Sequence, residues 1–216
     1  MYNYPHKNYR PFSAICDCGF GRKIIYTRQR QITWRNIVDE LNKALAIHRQ
    51  NAAEIEYLDR YYRGDQPILY RKKVNRPEVN NKIVVNLAYE LVERKTADIC
   101  AEPIQYVLRG TDDKKSDEIS WLNAIMDSEN KQECDIDICR WRSICGTAYR
   151  FIGNDEGNGS VLDESDFELS SENPIYTFVV YFPNNKPAFS CQIREDENGQ
   201  EFYFCYTNGQ WFEISE

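Results

Sequence analysis

The stretch "NNKIVVNLAYELVERKTADICAEPIQY", residues 80–106, sets the pattern for the first half of the chain. Asn80 or Asn81 is a suitable N-cap, and apolar residues recur at helical spacing until Pro103 prevents continuation. The pattern predicts a helix with one buried face, followed by a strand at residues 104–108. The predicted buried face comprises Ile83, Val84, Leu87, Ala88, Leu91, Val92 and Ile99, and the predicted wet face Glu90, Glu93, Arg94 and Lys95.

A longer helix is predicted before this stretch, beginning after Thr33 as N-cap and ending at Gly64 as a C′ glycine. One apolar stripe runs along it, formed by Ile37, Leu41, Leu45, His48, Ala52, Ile55 and Leu58. His48 lies on this stripe, so we interpret it as a core residue with a satisfied hydrogen bond. A ligand or catalytic role is the alternative for His48, but no cysteine or acid partner lies nearby in sequence.

Two shorter helices are predicted at about residues 117–126 and 131–144. After Gly146 the chain changes to β-type runs such as "PIYTFVVYF" and "EFYFCYT", separated by short loops that contain Asn-Gly. The sequence therefore predicts an α+β fold, with helices at about 33–144 followed by an antiparallel β meander at about 146–215. We expect an N-terminal arm at residues 1–30 and one domain at 31–216, helical over 31–145 and β-rich over 146–216.

The net charge of −7 is unevenly distributed over the 216 residues. Residues 1–110 contain 19 Lys and Arg against 12 Asp and Glu, whereas residues 111–216 contain 8 against 22. This polarity favours contacts between unlike surfaces of neighbouring molecules, and two solvated surfaces with no partner are the simpler alternative. There is no apolar run of the roughly 18 residues that span a bilayer, and the N-terminus lacks a signal-peptide pattern. We expect a protein made and kept in the cytoplasm, with no membrane partner.

The eight cysteines do not have the spacing of a zinc site, which usually contains C-x₂₋₄-C pairs. In the absence of a secretory signal we expect all of them to be free thiols. No bound metal and no cofactor are predicted. The cysteines are Cys16, Cys18, Cys100, Cys134, Cys139, Cys145, Cys191 and Cys205.

The segment 60–82 mixes basic and aromatic residues, a combination that can bind the phosphates and bases of nucleic acid. A nucleic-acid-binding module is therefore one function hypothesis. A solvated loop between two helices is the interpretation we favour, because the whole chain is acidic. The residues concerned are Arg60, Arg63, Arg71, Lys72, Lys73, Arg76 and Lys82, with Tyr61, Tyr62 and Tyr70.

Carboxylates are frequent at residues 155–172, in "NDEGNGSVLDESDFE" and its continuation. Acid–base catalysis requires carboxylates on rigid elements, and the calcium-loop pattern is not matched. We interpret this segment as a solvated loop. No Ser-His-Asp or Cys-His arrangement is recognisable, so we assign no catalytic, cofactor-binding or metal-binding residue and do not expect an enzyme.

Several segments resemble the portal proteins of long-tailed bacteriophages, over about residues 30–216. They are "AIHRQNAAEIEYLDRYYRGDQPILYRKK", "RPEVNNKIVVNLAYELVERKT", "EPIQY", "ICGTAYRF" and "TFVVYF". The most specific are "YYRGDQPI", "NNKIVVN" and "EPIQY", because their order and intervals also agree. Family members often have glycines where Ala97 and Ala101 stand here, and alanine favours a helix that continues through Cys100.

The resemblance implies a structural protein of the phage portal, without enzymatic activity. Portals of this family form a ring, usually of twelve subunits, at one capsid vertex, where double-stranded DNA enters and leaves through the channel. The implied partners are other copies of the chain, terminase, capsid and head-completion proteins, and the implied location is the virion, with assembly in the host cytoplasm. The matched part corresponds to the outer wing, so we expect stem, clip and crown to be absent and these residues alone not to form a stable ring.

Overall fold

The computed structural model describes residues 21–72, 74–75, 78, 80–110, 113–154 and 167–215, with the side chains of 113–115, 154 and 167 outside the description. The chain divides into two compact units. Unit 1 comprises Met1–Asn86 and Ile175–Glu216, and unit 2 comprises Leu87–Pro174. Residues 1–20 of the predicted arm, with Cys16 and Cys18, therefore lie outside the described residues.

Apart from a two-residue strand at Ile25–Tyr26, the elements of the described residues follow the predicted order of helices and then strands, which confirms the α+β class. In the described residues the helices are α1 (Ile37–Tyr62), α2 (Leu87–Cys100), α3 (Asp113–Ser128) and α4 (Lys131–Cys145), with a 3₁₀ helix at Pro67–Tyr70. The strands are β1 (Ile25–Tyr26), β2 (Tyr149–Asn154), β3 (Phe167–Glu172), β4 (Thr177–Tyr181), β5 (Pro187–Glu195), β6 (Glu201–Thr207) and β7 (Gln210–Ser215). Within the described ranges, no helix is both long and apolar enough to cross a bilayer.

Unit 1 packs α1 against a five-stranded sheet in the order β1-β4-β5-β6-β7. Strands β4 to β7 form an antiparallel meander, whereas β1 pairs with β4 in parallel through Ile25–Val180 and Tyr26–Tyr181. Burial of their apolar side chains is the main force that holds helix and sheet together. The core comprises Ile25, Ile32, Ile37, Leu41, Ala44, Leu45, Phe178, Val180, Ala188, Phe189, Cys191, Tyr203 and Cys205.

The ends of α1 differ in how well the sequence locates them. The helix begins at Ile37 rather than directly after Thr33, because residues 33–36 form a turn in which the Asn36 side chain accepts the backbone N–H of Thr33 at 2.8 Å. At the other end, Gly64 has a φ of +87°. Its N–H donates to the Tyr61 carbonyl and that of Asp65 donates to the Arg60 carbonyl, which is a Schellman motif at the predicted glycine.

Unit 2 contains α2, α3 and α4 with a separate antiparallel sheet of β2 and β3. The predicted single meander is therefore two sheets. Strand β3 also corrects the prediction of a solvated loop at 155–172, since residues 167–172 pair with β2 over six residue pairs. Residues 155–166 lie outside the described part of the chain.

The prediction for the start of α2 is wrong. The helix begins at Leu87, and residues 81–86 are not helical. Ile83, Val84 and Val85 are β-branched and disfavour a helix. The Asn86 side chain then donates to the Tyr62 carbonyl at 2.8 Å, which holds the segment in its non-helical course.

The predicted buried face of α2 is also wrong. Leu87, Leu91 and Ile99 are 58%, 67% and 52% exposed, whereas Thr96 and Cys100 are buried. The inward face is set by partners on α4: Glu93 forms an ion pair with Arg140 at 3.0 Å, and Cys100 lies beside Cys139. The helix nevertheless runs to Cys100, as the alanines predict.

Residues 104–108 are not a strand, contrary to prediction. The backbone of Tyr106 is paired with a side chain instead of a neighbouring strand. The amide of Asn123 accepts the Tyr106 N–H at 2.9 Å and donates to its carbonyl at 3.0 Å. The Asn123 side chain on α3 thus pairs with the N–H and the carbonyl of Tyr106, which a neighbouring strand would otherwise pair with.

Candidate functional site

Arg60, the first cation of the basic and aromatic segment 60–82, is buried in unit 1. Its Nε and Nη2 lie 2.7 and 2.6 Å from the same Asp65 oxygen. The Tyr70 hydroxyl donates to the other Asp65 oxygen at 2.6 Å, and this hydrogen bond raises the pKa of Tyr70. The cluster of Arg60, Asp65 and Tyr70 therefore fastens the 3₁₀ helix to the end of α1.

Two further cations of this segment also contact the protein itself. Arg63 forms an ion pair with the buried Asp59 at 2.8 Å, and burial raises the pKa of Asp59 although Arg63 opposes the shift. The Lys82 ammonium donates to the Leu69 carbonyl. These charges stabilise the local fold, so they are poorly placed to neutralise the phosphates of a nucleic acid.

Four other basic residues of the segment are candidates for binding nucleic acid. Arg71 and Lys72 are exposed, and Lys73 and Arg76 lie outside the described residues. A nucleic-acid-binding role would rest mainly on these four, since Arg63 and Lys82 are exposed but already contact Asp59 and the Leu69 carbonyl. The structure thus reduces the number of described basic residues that could serve the interface predicted at 60–82.

His48 occupies the core of unit 1, as its position on the apolar stripe predicts. It is 3% exposed, its ring stacks on Phe178 with 4.4 Å between centroids, and its Nε2 lies 2.9 Å from the Ile175 carbonyl. Because a carbonyl only accepts, Nε2 carries the proton. Burial lowers the pKa of His48, and the hydrogen bond to Ile175 opposes this shift only partly.

Unit 2 contains an ionic cluster around the buried residues Lys131 and Asp135 that sequence reasoning did not find. Asp135 of α4 accepts from Lys131 at 2.6 Å and also pairs with Arg150 of β2. The Lys131 ammonium also donates to the Ile104 carbonyl at 3.2 Å. Burial raises the pKa of Asp135, but the hydrogen bonds from both cations outweigh it, and the net pKa is lowered. The spacing of four between Lys131 and Asp135 on a predicted helix was the available signal.

The six described cysteines are free thiols, and Cys134 and Cys145 are buried singly on α4. The other four form two close pairs. The sulfur atoms of Cys100 and Cys139 lie 3.0 Å apart. Cys191 on β5 lies directly opposite Cys205 on β6. In the described ranges no group of three or more metal-ligating side chains is present.

Large apolar side chains are exposed on both units. On α2, Leu87 and Leu91 are four residues apart and therefore lie on one side of the helix. On unit 1, Trp34 is 70% exposed and Trp211 is 62% exposed. Exposed side chains of this size are common where a protein contacts another protein.

Together, these features describe a protein whose polar clusters fasten its own elements and whose large apolar residues remain exposed, as in proteins that act through assembly. The chain belongs to the phage portal protein family, SPP1 Gp6-like, whose family model matches residues 41–216. A comparison with curated proteins gave no significant match. Members of this family are structural, non-enzymatic proteins that form rings and interact with capsid and terminase at the capsid vertex.

Proposed function

We propose that this chain is the wing-like part of a portal subunit, with residues 31–216 as that part, in the ring through which phage DNA is packaged and released. The family match over residues 41–216 carries the proposal. The proposed partners are other copies of the chain, terminase, capsid protein, head-completion proteins and the double-stranded DNA in the channel. The proposed location is the capsid vertex of the virion, reached after assembly in the host cytoplasm.

The charge distribution supports a head-to-tail ring. In a closed ring each subunit presents one surface to one neighbour and a different surface to the other. Unit 1 contains 18 Lys and Arg against 14 Asp and Glu, a net charge of +4, whereas unit 2 contains 9 against 20, a net charge of −11. Unit 1 of one subunit and unit 2 of a neighbouring subunit would therefore attract each other. Such charge complementarity steers association and sets the register of neighbouring subunits. The exposed apolar residues would become buried in the interface between subunits and add to its area.

The buried clusters support a scaffold role for the polar residues. Arg60 and Asp135 are each held by two partners within their own unit. A charge with its hydrogen bonds already made is costly to redirect toward a ligand. We therefore propose that these residues give each unit a fixed shape for assembly.

The test uses virions of the phage that encodes this chain. We expect gold-labelled antibodies against the chain to mark one vertex of each head in electron micrographs. Interruption of the gene should yield heads without DNA, and restoring the gene should yield filled heads. Label spread over the whole capsid, unlabelled virions, or filled heads after interruption would contradict the proposal.

The alternative is a nucleic-acid-binding module that uses the segment 60–82. A salt titration of binding to double-stranded DNA tests it, because phosphate contacts give an affinity that falls steeply with salt. If this segment binds, replacing the exposed Arg71 and Lys72 with alanine should lower affinity and flatten the salt dependence. The matched control replaces Lys23 and Arg28, two exposed cations of the same unit outside the segment.

A further inference from the structure

Cys100 and Cys139 bring two thiols together from different helices of unit 2. Cys100 is the last residue of α2, and Cys139 lies in the middle of α4, 39 residues further along the chain. The thiol of Cys100 donates a hydrogen bond to the sulfur of Cys139 at 3.0 Å. Two sulfur atoms in contact need to move by only about 1 Å to reach a disulfide bond of roughly 2.05 Å.

We propose that Cys100 and Cys139 form a disulfide that links α2 to α4 once the protein is outside the reducing cytoplasm. Cytoplasmic thiols are kept reduced, whereas disulfides persist on virions and outside cells. A portal subunit that is assembled in the cytoplasm and then released in a virion passes from one condition to the other. The timing of the reaction therefore rests on the proposed function, whereas the capacity to form the bond rests on the two helices alone.

The two helices are already held side by side near the pair. Arg140 of α4, the residue after Cys139, forms an ion pair with Glu93 of α2 at 3.0 Å. Cys100 lies two turns further along α2 than Glu93. The helix contact is thus fixed independently of the thiols, and the disulfide would stabilise an arrangement that exists in the reduced protein.

The exposure of the two sulfur-bearing residues sets the order of the reaction. Cys139 is half-buried, whereas Cys100 is only 6% exposed, so Cys139 is the more accessible of the two residues to an oxidant. Burial, together with the hydrogen bond to Cys139, raises the pKa of Cys100 to about 11. Cys100 is therefore the second thiol to react, and its reaction partner is the oxidised sulfur of Cys139.

With hydrogen peroxide as oxidant the reaction takes two steps. The Cys139 thiolate attacks one peroxide oxygen, the O–O bond breaks, and sulfenic acid and hydroxide form. The sulfur of Cys100 then attacks the sulfur of Cys139, the S–O bond breaks, and the proton of Cys100 leaves with the hydroxyl group as water. Two thiols lose two protons and two electrons, and one peroxide is reduced to two molecules of water.

The second thiol pair provides an internal comparison. Cys191 and Cys205 face each other on β5 and β6, and both are 0% exposed. The hydrogen bond between them and their burial raise the pKa of Cys191 far above its usual range. With no accessible thiolate, this pair should resist the same oxidant.

The test uses the purified 216-residue protein, reduced and then treated with hydrogen peroxide. After alkylation under denaturing conditions and digestion, mass spectrometry should find the Cys100 and Cys139 peptides linked and Cys191 and Cys205 alkylated. The melting temperature should rise by about 10 °C on oxidation, since the bond closes a long loop. Cys139→Ser should remove both the linked peptides and the rise, and Cys134→Ser, a buried cysteine of the same helix, should retain them.

Cys100→Ser is a second variant, in case Cys139→Ser destabilises the fold. Alkylated Cys100 and Cys139 after oxidation, or an equal rise in melting temperature for Cys139→Ser, would overturn the proposal. Because this experiment uses isolated protein, its failure is distinct from failure of the virion labelling.

A second experiment tests the timing of the reaction. Virions and infected-cell lysates are quenched in acid, and linked Cys100 and Cys139 peptides are expected in virions alone. Linked peptides at equal levels in both would contradict the proposed timing.

Discussion

Arg60 and Asp65 form an ion pair across the C-terminal end of α1, with 2.6 Å between Nη2 and Oδ2. The Arg60 side chain is only 7% exposed and that of Asp65 is 29% exposed. The pair joins the last turn of the helix to the segment that follows it, and Tyr70 completes the contact from the 3₁₀ helix. Arg60 therefore has a structural role, since it holds the segment after α1 in place.

Asp65→Ala should destabilise unit 1 by about 2 kcal/mol, because it leaves the Arg60 guanidinium buried with fewer partners. Urea denaturation followed by circular dichroism measures the change. Glu56→Gln, at a half-buried carboxylate of the same helix, is the control and should change stability by less than about 0.5 kcal/mol. Equal effects of the two variants would show that the ion pair has no special role.

Gly64→Ala should destabilise the protein by about 1–2 kcal/mol, since a left-handed backbone is unfavourable for alanine. The φ of Gly64 is +87°, and an added Cβ would lie 3.3 Å from the Asn86 amide nitrogen. Gly21→Ala is the matched control because nothing lies within 4 Å of its added Cβ. Thermal unfolding compares the two variants, and a Gly64→Ala protein as stable as Gly21→Ala would contradict the Schellman assignment.

The stability of unit 1 should fall as the pH drops below about 6.5, because of His48. The pKa of His48 is lowered from 6.5 in the folded state, so the unfolded state binds a proton first and is favoured by acid. Stability from this residue is complete above pH 6.5 and decreases below it.

His48→Gln should remove this component, so its loss of stability between pH 7.5 and 5.5 should be smaller by about 1 kcal/mol. Denaturant titrations at both pH values measure the difference. Gln50→Ala, at an exposed residue of α1 that does not titrate, is the control and should leave the pH dependence unchanged. A wild-type protein with the same pH dependence as His48→Gln would refute the prediction.

Asp135→Asn should destabilise unit 2 by about 3 kcal/mol, because two cations lose their shared carboxylate. The pKa of Asp135 is lowered below 3.8, so its contribution is present above pH 3.8 and is lost as the pH falls through the folded value. The variant should therefore lose less stability than the wild type between pH 5 and 2.5. Asp137→Asn, which removes a more exposed partner of Arg140, should cost less than about 1 kcal/mol. Chemical denaturation at each pH checks both effects.

The parts of the fold that sequence predicts well depend on local signals. The stripe on α1 and the glycine at its end place that helix, and the hairpin between β6 and β7 follows from Asn208 and Gly209, the latter with a φ of +87°. The family resemblance is equally local, since it rests on short segments in a fixed order, and the match over residues 41–216 confirms it.

The parts that sequence predicts poorly depend on distant partners. Strand β1 is two residues long and exists because it pairs with β4, about 150 positions later. The inward face of α2 is decided by Arg140 and Cys139, which no periodicity in α2 reveals. For the candidate site, the basic residues of 60–82 could be counted from sequence. The ion pair of Arg63 with Asp59 follows from their spacing of four on the predicted helix, whereas the pair of Arg60 with Asp65 depends on the turn at Gly64 and is not evident from the sequence.

The discontinuity of unit 1 has a consequence during synthesis of the chain. Leu41 and Leu45 of α1 are buried only when Phe178 and Tyr203 are available, and the whole of unit 2 is translated in between. At about 5–20 residues per second, the ribosome would take on the order of ten seconds to bridge that interval. Unit 2 can fold as soon as it emerges, whereas the stripe of α1 waits with its apolar side chains uncovered. Chaperone contact with the nascent chain is therefore most favoured at α1, and it should end when the last strands leave the ribosome.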